Sequence, residues 1–123
     1  MNKEAGLDIV CIDFDGVLAN YDGWKGKEVL GEPIKGAREF VDKMIGLGYT
    51  VIVFTTRESK YISPWLEKYG FPKMEVTSKK IPAKVYIDDR CQKFEGDYQR
   101  LVEDLKSFDV HWRNKEKKIF DKI

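Results

Sequence analysis

Residues Thr50 to Phe54 read TVIVF, four consecutive apolar side chains after a threonine, with a glycine-tyrosine turn before them and a polar threonine pair behind. A run of that length without alternation is the signature of a strand buried on both faces, and such strands belong to parallel sheets covered by crossover helices. The rest of the chain alternates in the same sense. Leu7 to Ile12 reads as a first strand; Gly36 to Leu47 follows as an amphipathic helix with Ala37, Phe40, Val41, Met44 and Ile45 on one face and Gly48 closing it. After the second strand, Ser63 as N-cap and Pro64 in the first turn start a helix that Gly70 and Pro72 stop. Met74 to Thr77 and Val85 to Ile87 are further short strands. Asp97 to Phe108 is a helix with Tyr98, Leu101, Val102, Leu105 and Phe108 turned inward, and Val110 to Trp112 adds an edge strand. The charged tail from about 113 to 123 is expected to be peripheral. Strands alternating with helices predict an α/β fold with a central parallel sheet of about five strands.

At 123 residues the chain is read as a single domain, 1–123, with one core. Lys and Arg together number 22 against 21 Asp and Glu, which excludes the overall basic field that non-specific nucleic-acid binders use. The apolar runs are strand-sized, far short of a membrane span, and Met1 to Gly6 lack the apolar stretch of a signal peptide, so a cytoplasmic protein with no membrane partner is expected. The cysteines, Cys11 and Cys91, are far apart and without metal-type spacing; reduced thiols are expected, with Cys11 packing as a small hydrophobe.

The polar residues fall where such a sheet would bring them together. Ligands of open parallel sheets bind beyond the carboxyl ends of the strands. The first strand ends at Asp13-Phe14-Asp15, the second at Thr55-Thr56-Arg57, and the fourth at Asp88-Asp89-Arg90. Side chains alternate faces along a strand, so Asp13 and Asp15 point the same way. Carboxylates held together repel unless a cation sits among them. Hard oxygen donors without a His or Cys cluster point to magnesium, which takes one or two carboxylates, water and a substrate phosphate.

Asp13-Phe14-Asp15-Gly16-Val17, then Thr55 after an apolar strand, then Lys80 ahead of Asp88-Asp89, resembles the four motifs of the haloacid dehalogenase superfamily of phosphohydrolases, in order, from about Ile9 to Leu105. KIPAKVYIDDR and KFEGDYQRLV further resemble its small capless members from bacteria and their phages; Val17 stands where many relatives have threonine. The resemblance implies a three-layer Rossmann-like sandwich without a cap domain. It makes Asp13 a nucleophile that forms an aspartyl-phosphate, and Asp15 the acid that protonates the leaving oxygen and then activates water. It places magnesium on Asp13, the Asp15 main-chain carbonyl and Asp88, with Asp89 as alternative or supporting ligand. Thr55, directly behind the apolar run, is the expected phosphate-binding hydroxyl, with Thr56 steadying the loop. Of Lys79, Lys80 and Lys84, family spacing favours Lys80, and Lys84 is expected at a strand edge. The glycine, Gly16, is expected to let the backbone turn tightly beside the ion and the substrate phosphate.

The implied function is magnesium-dependent hydrolysis of a phosphomonoester. The gaps between motifs leave room for a flap, about 20–33, and for no cap, so the site is expected to be open to solvent unless a neighbouring copy in a homo-oligomer covers it. Tyr21, Trp24, Lys25 and Lys27 of the flap, with Arg57 and Arg90 on the rim, would offer aromatic surface and positive charge to a small phosphorylated substrate, a nucleotide or a nucleic-acid end. Trp24 serves equally as an anchor of the flap. His111, far from the motifs, is expected to be structural, and Trp65 and Trp112 are expected to pack. Two other readings use the same residue types: an aspartate-phosphorylated signalling module with little turnover, against which the order of the motifs speaks, and a magnesium-dependent nuclease, which needs no covalent aspartate.

Overall fold

The computed structural model describes residues 5–113. Four strands and three helices follow one another as β1 (Ile9–Ile12), α1 (Ala37–Gly46), β2 (Thr50–Phe54), α2 (Ser59–Lys68), β3 (Val76–Thr77), β4 (Val85–Ile87) and α3 (Tyr98–Ser107). All strand pairings are parallel, in the order β3-β2-β1-β4. The chain therefore runs outward from β1 through β2 to β3 and returns on the opposite side of β1, which makes the β1–β4 boundary the point where the strand order reverses.

Register follows the apolar runs. Ile12 stands opposite Val53 of β2 and Ile87 of β4. Ile12, Val51 and Val53 join Phe14, Leu18, Val41 of α1, and Ile62, Trp65 and Leu66 of α2 in one buried cluster. Phe14 is fully buried and meets the Trp65 ring edge-on, 4.7 Å between centroids. Cys11 is fully buried and unpaired, as expected of a small hydrophobe, and Lys84, just ahead of β4, is exposed. Across the sheet Cys11 pairs in register with Ile52 and with Tyr86, whose hydroxyl is tied to both the N–H and the carbonyl of Ile81. No helix among the described residues is long and apolar enough to cross a membrane.

Several expectations are corrected. α2 begins at Ser59 rather than at Ser63, so Pro64 lies inside it and withholds a hydrogen bond from the preceding turn. Burial of Ile62, Trp65 and Leu66 on one helical face offsets that loss. In α1 only Ala37 and Val41 are buried, while Phe40 and Ile45 remain about two-fifths exposed. α3 buries none of its residues; Tyr98 is 74 % exposed, and Val102, Leu105 and Phe108 are also exposed. Its apolar stripe exists, but β4, the strand before it, is three residues long and offers little surface to cover it. α3 therefore lays no buried side chain on the sheet. Val110 to Trp112 forms no strand, so four strands are seen there rather than about five. The tail beyond Arg113 lies outside the described residues.

Phe14 separates the two aspartates of the first motif and anchors the turn between them in the core. Phe14→Ala should cost about 3–5 kcal/mol of unfolding free energy, read from the denaturant midpoint; a loss below about 1 kcal/mol would mean that the Phe14–Trp65 contact does not hold the turn.

Candidate functional site

Beyond Ile12 the backbone keeps pairing for one more residue, the Asp13 N–H donating to the Ile87 carbonyl at 2.9 Å. Phe14 then turns into the core, and Asp13 and Asp15 emerge together into a cleft of about 320 Å³ at the carboxyl end of the sheet. The Phe14 carbonyl accepts from the N–H groups of Leu18 and Ala19, closing a tight turn. Gly16 sits in that turn at φ 82°, a conformation that favours glycine. A β-carbon there would also run into the Asp89 carboxylate and approach the Trp112 ring to 3.0 Å. Gly16 is therefore needed for close packing against Asp89 and Trp112 as well as for the turn.

Asp13, Asp88 and Asp89 each bring a carboxylate oxygen within 4.8 Å of the others, an arrangement able to hold a metal ion. Asp88 is fixed by accepting the Arg90 N–H at 2.9 Å, and Asp89 by accepting the indole N–H of Trp112. Asp13 accepts the Phe14 N–H at 2.8 Å. Burial, then the charge of Asp88, then a hydrogen bond shared with Asp89 push the Asp13 carboxyl up to about 8. Burial also pushes Asp89 upward, but hydrogen bonds from Trp112 and from its two acidic neighbours prevail and hold it below the ordinary carboxylate range. Without a cation, then, Asp13 keeps a proton and shares it with Asp89.

Asp15 has a different environment. Its Oδ2 accepts from Arg57 Nε at 2.7 Å, and its Oδ1 is buried without a partner among the described residues. Thr55 is buried at the cleft wall; its hydroxyl oxygen accepts the Arg57 N–H at 3.1 Å, which leaves its own proton available. Thr56 is exposed and also lines the cleft. Trp24 lines it with a ring 62 % exposed, stacked 4.6 Å from the Arg57 guanidinium. Arg90 lines it as well, its guanidinium 5.4 Å from the Trp112 ring. Lys25 is drawn to Asp22, and Lys27 contributes its carbonyl to Arg57.

Two expected site residues stand elsewhere. Lys80 is exposed and lies outside the cleft lining, its ammonium 5.7 Å from the centroid of Tyr86. Tyr86 in turn packs edge-on against Phe54, which forms part of the cleft. Arg57, expected on the open rim, is buried and engaged by protein groups.

His111, expected far from the motifs, stands against the first of them. His111 Nε2 is 2.5 Å from the Gly16 carbonyl, and Trp112 supports Asp89 while its ring meets Tyr21 edge-on at 4.8 Å. Ninety-five positions separate Gly16 from His111. No local pattern links the two, so neither His111 nor Trp112 could be placed at the site from the sequence.

No family model matches the chain, and no curated protein matches it. Among solved structures, a conserved protein from Bacteroides thetaiotaomicron is similar, with a TM-score of 0.58 and 21 % identity over 82 % of this chain and 91 % of the other. At that identity the likeness extends to the fold.

The raised Asp13 fixes a sign. Between about pH 4 and about pH 8 the unfolded chain has lost the proton that folded, metal-free Asp13 retains, so folding takes up a proton and stability falls as pH rises. Asp89, shifted downward, acts only below that window. The melting temperature of the metal-free protein should therefore drop from about pH 5 to about pH 8. Added magnesium should flatten the slope by replacing the proton. Asp13→Asn should remove the slope; a slope unchanged in that variant would mean that Asp13 does not carry it.

Proposed function

We propose that this protein is a magnesium-dependent phosphomonoester hydrolase of the haloacid dehalogenase type, acting through an aspartyl-phosphate on Asp13. The observation that carries the reading is the unequal treatment of two carboxylates on one turn. Asp13 stands in a carboxylate cluster that calls for a cation, whereas Asp15, two residues on, is held by Arg57 with one oxygen left unpartnered. A covalent carboxylate mechanism needs that division, one group to attack and one to move protons.

Asp13, Asp88 and Asp89 would hold the ion, whose charge would offset that of the phosphoryl oxygens; hard oxygen donors and an open, wet cleft favour magnesium. In the first step an Asp13 oxygen bonds to phosphorus as the ester oxygen leaves, and Asp15 gives that oxygen a proton. In the second, Asp15 takes a proton from water as the water oxygen bonds to phosphorus and the Asp13–phosphorus bond breaks, which restores both carboxyl groups. The Thr55 hydroxyl, already accepting from Arg57, would donate a hydrogen bond to a phosphoryl oxygen. Lys80, whose exposed ammonium stands 5.7 Å from the Tyr86 ring centroid, would have to turn toward the cleft to meet the same group. Trp24 and Arg90 face the leaving group, and Arg90 borders an adjoining hollow of about 760 Å³. That surround suits a nucleotide or a nucleic-acid end as well as a small phosphorylated metabolite.

Asp13→Asn and Asp15→Asn separate the two steps. With an aryl phosphate, whose leaving group departs without an acid, Asp15→Asn should release about one equivalent of phenol per site in a burst and then turn over slowly. Asp13→Asn should give no burst. Mass spectrometry of the quenched Asp15→Asn reaction should find phosphate on the peptide containing Asp13; phosphate elsewhere, or rapid turnover of Asp13→Asn, would overturn the assignment. Lys80→Ala should slow hydrolysis by about 3 kcal/mol in activation free energy, measured as kcat/KM, with smaller effects for Lys79→Ala and Lys84→Ala. Equal, mild effects at all three would remove Lys80 from the mechanism.

A further inference from the structure

Arg57 follows the strand that ends at the cleft, yet its side chain is only 2 % exposed. A buried guanidinium is tolerated only when its charge is paired and its N–H groups are satisfied. Nε donates to Asp15 Oδ2 at 2.7 Å, Nη1 to the carbonyls of Gly26 and Lys27 at 3.2 and 3.0 Å, and Nη2 to the Val29 carbonyl at 3.2 Å. The Trp24 ring packs on its face. A guanidinium that grips a substrate phosphate presents its fork to the ligand. This one presents it to the backbone of the flap, residues 20–33.

The base of the flap is held separately. Asn20 and Glu32 are joined through the Asn20 N–H, and the Trp65 indole donates to the Gly31 carbonyl at 2.8 Å. Arg57 thus secures only the middle of the flap, and it does so with the same planar group that fixes Asp15. A planar fork cannot rotate to follow one partner without leaving the other.

We propose that Arg57 is a positioning residue that couples the seating of flap residues 26–29 to the orientation of Asp15, so that Asp15 is aimed for proton transfer only while the flap is seated. The catalytic part of this inference rests on the role given to Asp15 above; the mechanical part does not. Coupling of this kind is reciprocal. Removing Arg57 must misdirect Asp15, and removing the Asp15 charge must loosen the flap.

The test has two arms on the full chain. In the first, backbone amide exchange is followed by mass spectrometry in wild type, Arg57→Gln, Arg57→Lys and Asp15→Asn. Exchange in 24–30 should quicken in all three variants, with α2 protected as in wild type. Lysine should fail to restore protection, since one ammonium cannot serve a carboxylate and several carbonyls at once. In the second, kcat/KM is measured on aryl and alkyl phosphates of graded leaving-group basicity. Arg57→Gln should change little for the best leaving group and fall by about 100-fold for the poorest, the range of a lost general acid.

A flap unchanged in Asp15→Asn, or a loss in Arg57→Gln that is equal for every leaving group, would overturn the coupling. Full rescue of both readouts by Arg57→Lys would overturn it too, leaving a simple charge pair. A wild-type protein without phosphatase activity would defeat the proposed function instead, and the exchange arm would still decide whether flap and Asp15 move together.

Discussion

Everything at the cleft depends on the parallel pairing of β1 with β4. With Ile12 opposite Ile87, and the Asp13 N–H reaching back to the Ile87 carbonyl, the next residues of both strands are aspartates, side by side. Strand side chains alternate, so a slip of one residue would send one of these carboxylates to the other face. Their repulsion opposes the pairing and is overcome by the β1–β2 ladder and the core beneath it, which hold β1 from its other side. The acidic cluster is therefore a place where the fold works against its own stability, as sites of chemistry commonly do.

The two carboxylates of the first motif have different neighbours along the sheet. Carboxylates gather at the β1–β4 boundary, whereas the cation Arg57 stands past the end of β2. Asp15, on the turn between, falls to the cation, and Asp13 to the other carboxylates. One strand thus delivers two chemically unlike carboxyl groups through the neighbours it has on either side.

The parallel sheet and the convergence of Asp13, Asp15, Thr55 and Asp88 on its rim were legible because each rests on a short-range pattern: the apolar run Val51 to Phe54, and acidic or hydroxyl residues directly behind strands. The misplacements have equally definite causes. Ser63-Pro64 carries the local signal of a helix start, but burial of Ile62 together with Trp65 and Leu66 extends the helix upstream through it. The stripe on α3 declares an apolar face, and nothing in a stripe says whether a partner surface exists. Val110 to Trp112 has strand-like composition, yet the side chains of His111 and Trp112 are occupied with Gly16 and Asp89. Arg57 was legible as a charge near the site; that its partners would be carbonyls of a distant loop was not, because any residue carries a carbonyl.

The contact between Gly16 and His111 spans nearly the whole described chain. On a ribosome adding about 5–20 residues per second, the first motif is made long before the segment that completes it, an interval of roughly 5 to 20 seconds. For most of that time neither β4 nor Trp112 exists, and Asp13 lacks the acidic neighbours that Asp88 and Asp89 later supply. The three carboxylates can meet only once β4 has been made, and Asp89 gains its Trp112 partner later still. The charged centre is thus assembled in two stages, its carboxylates first and the side chains that brace them last.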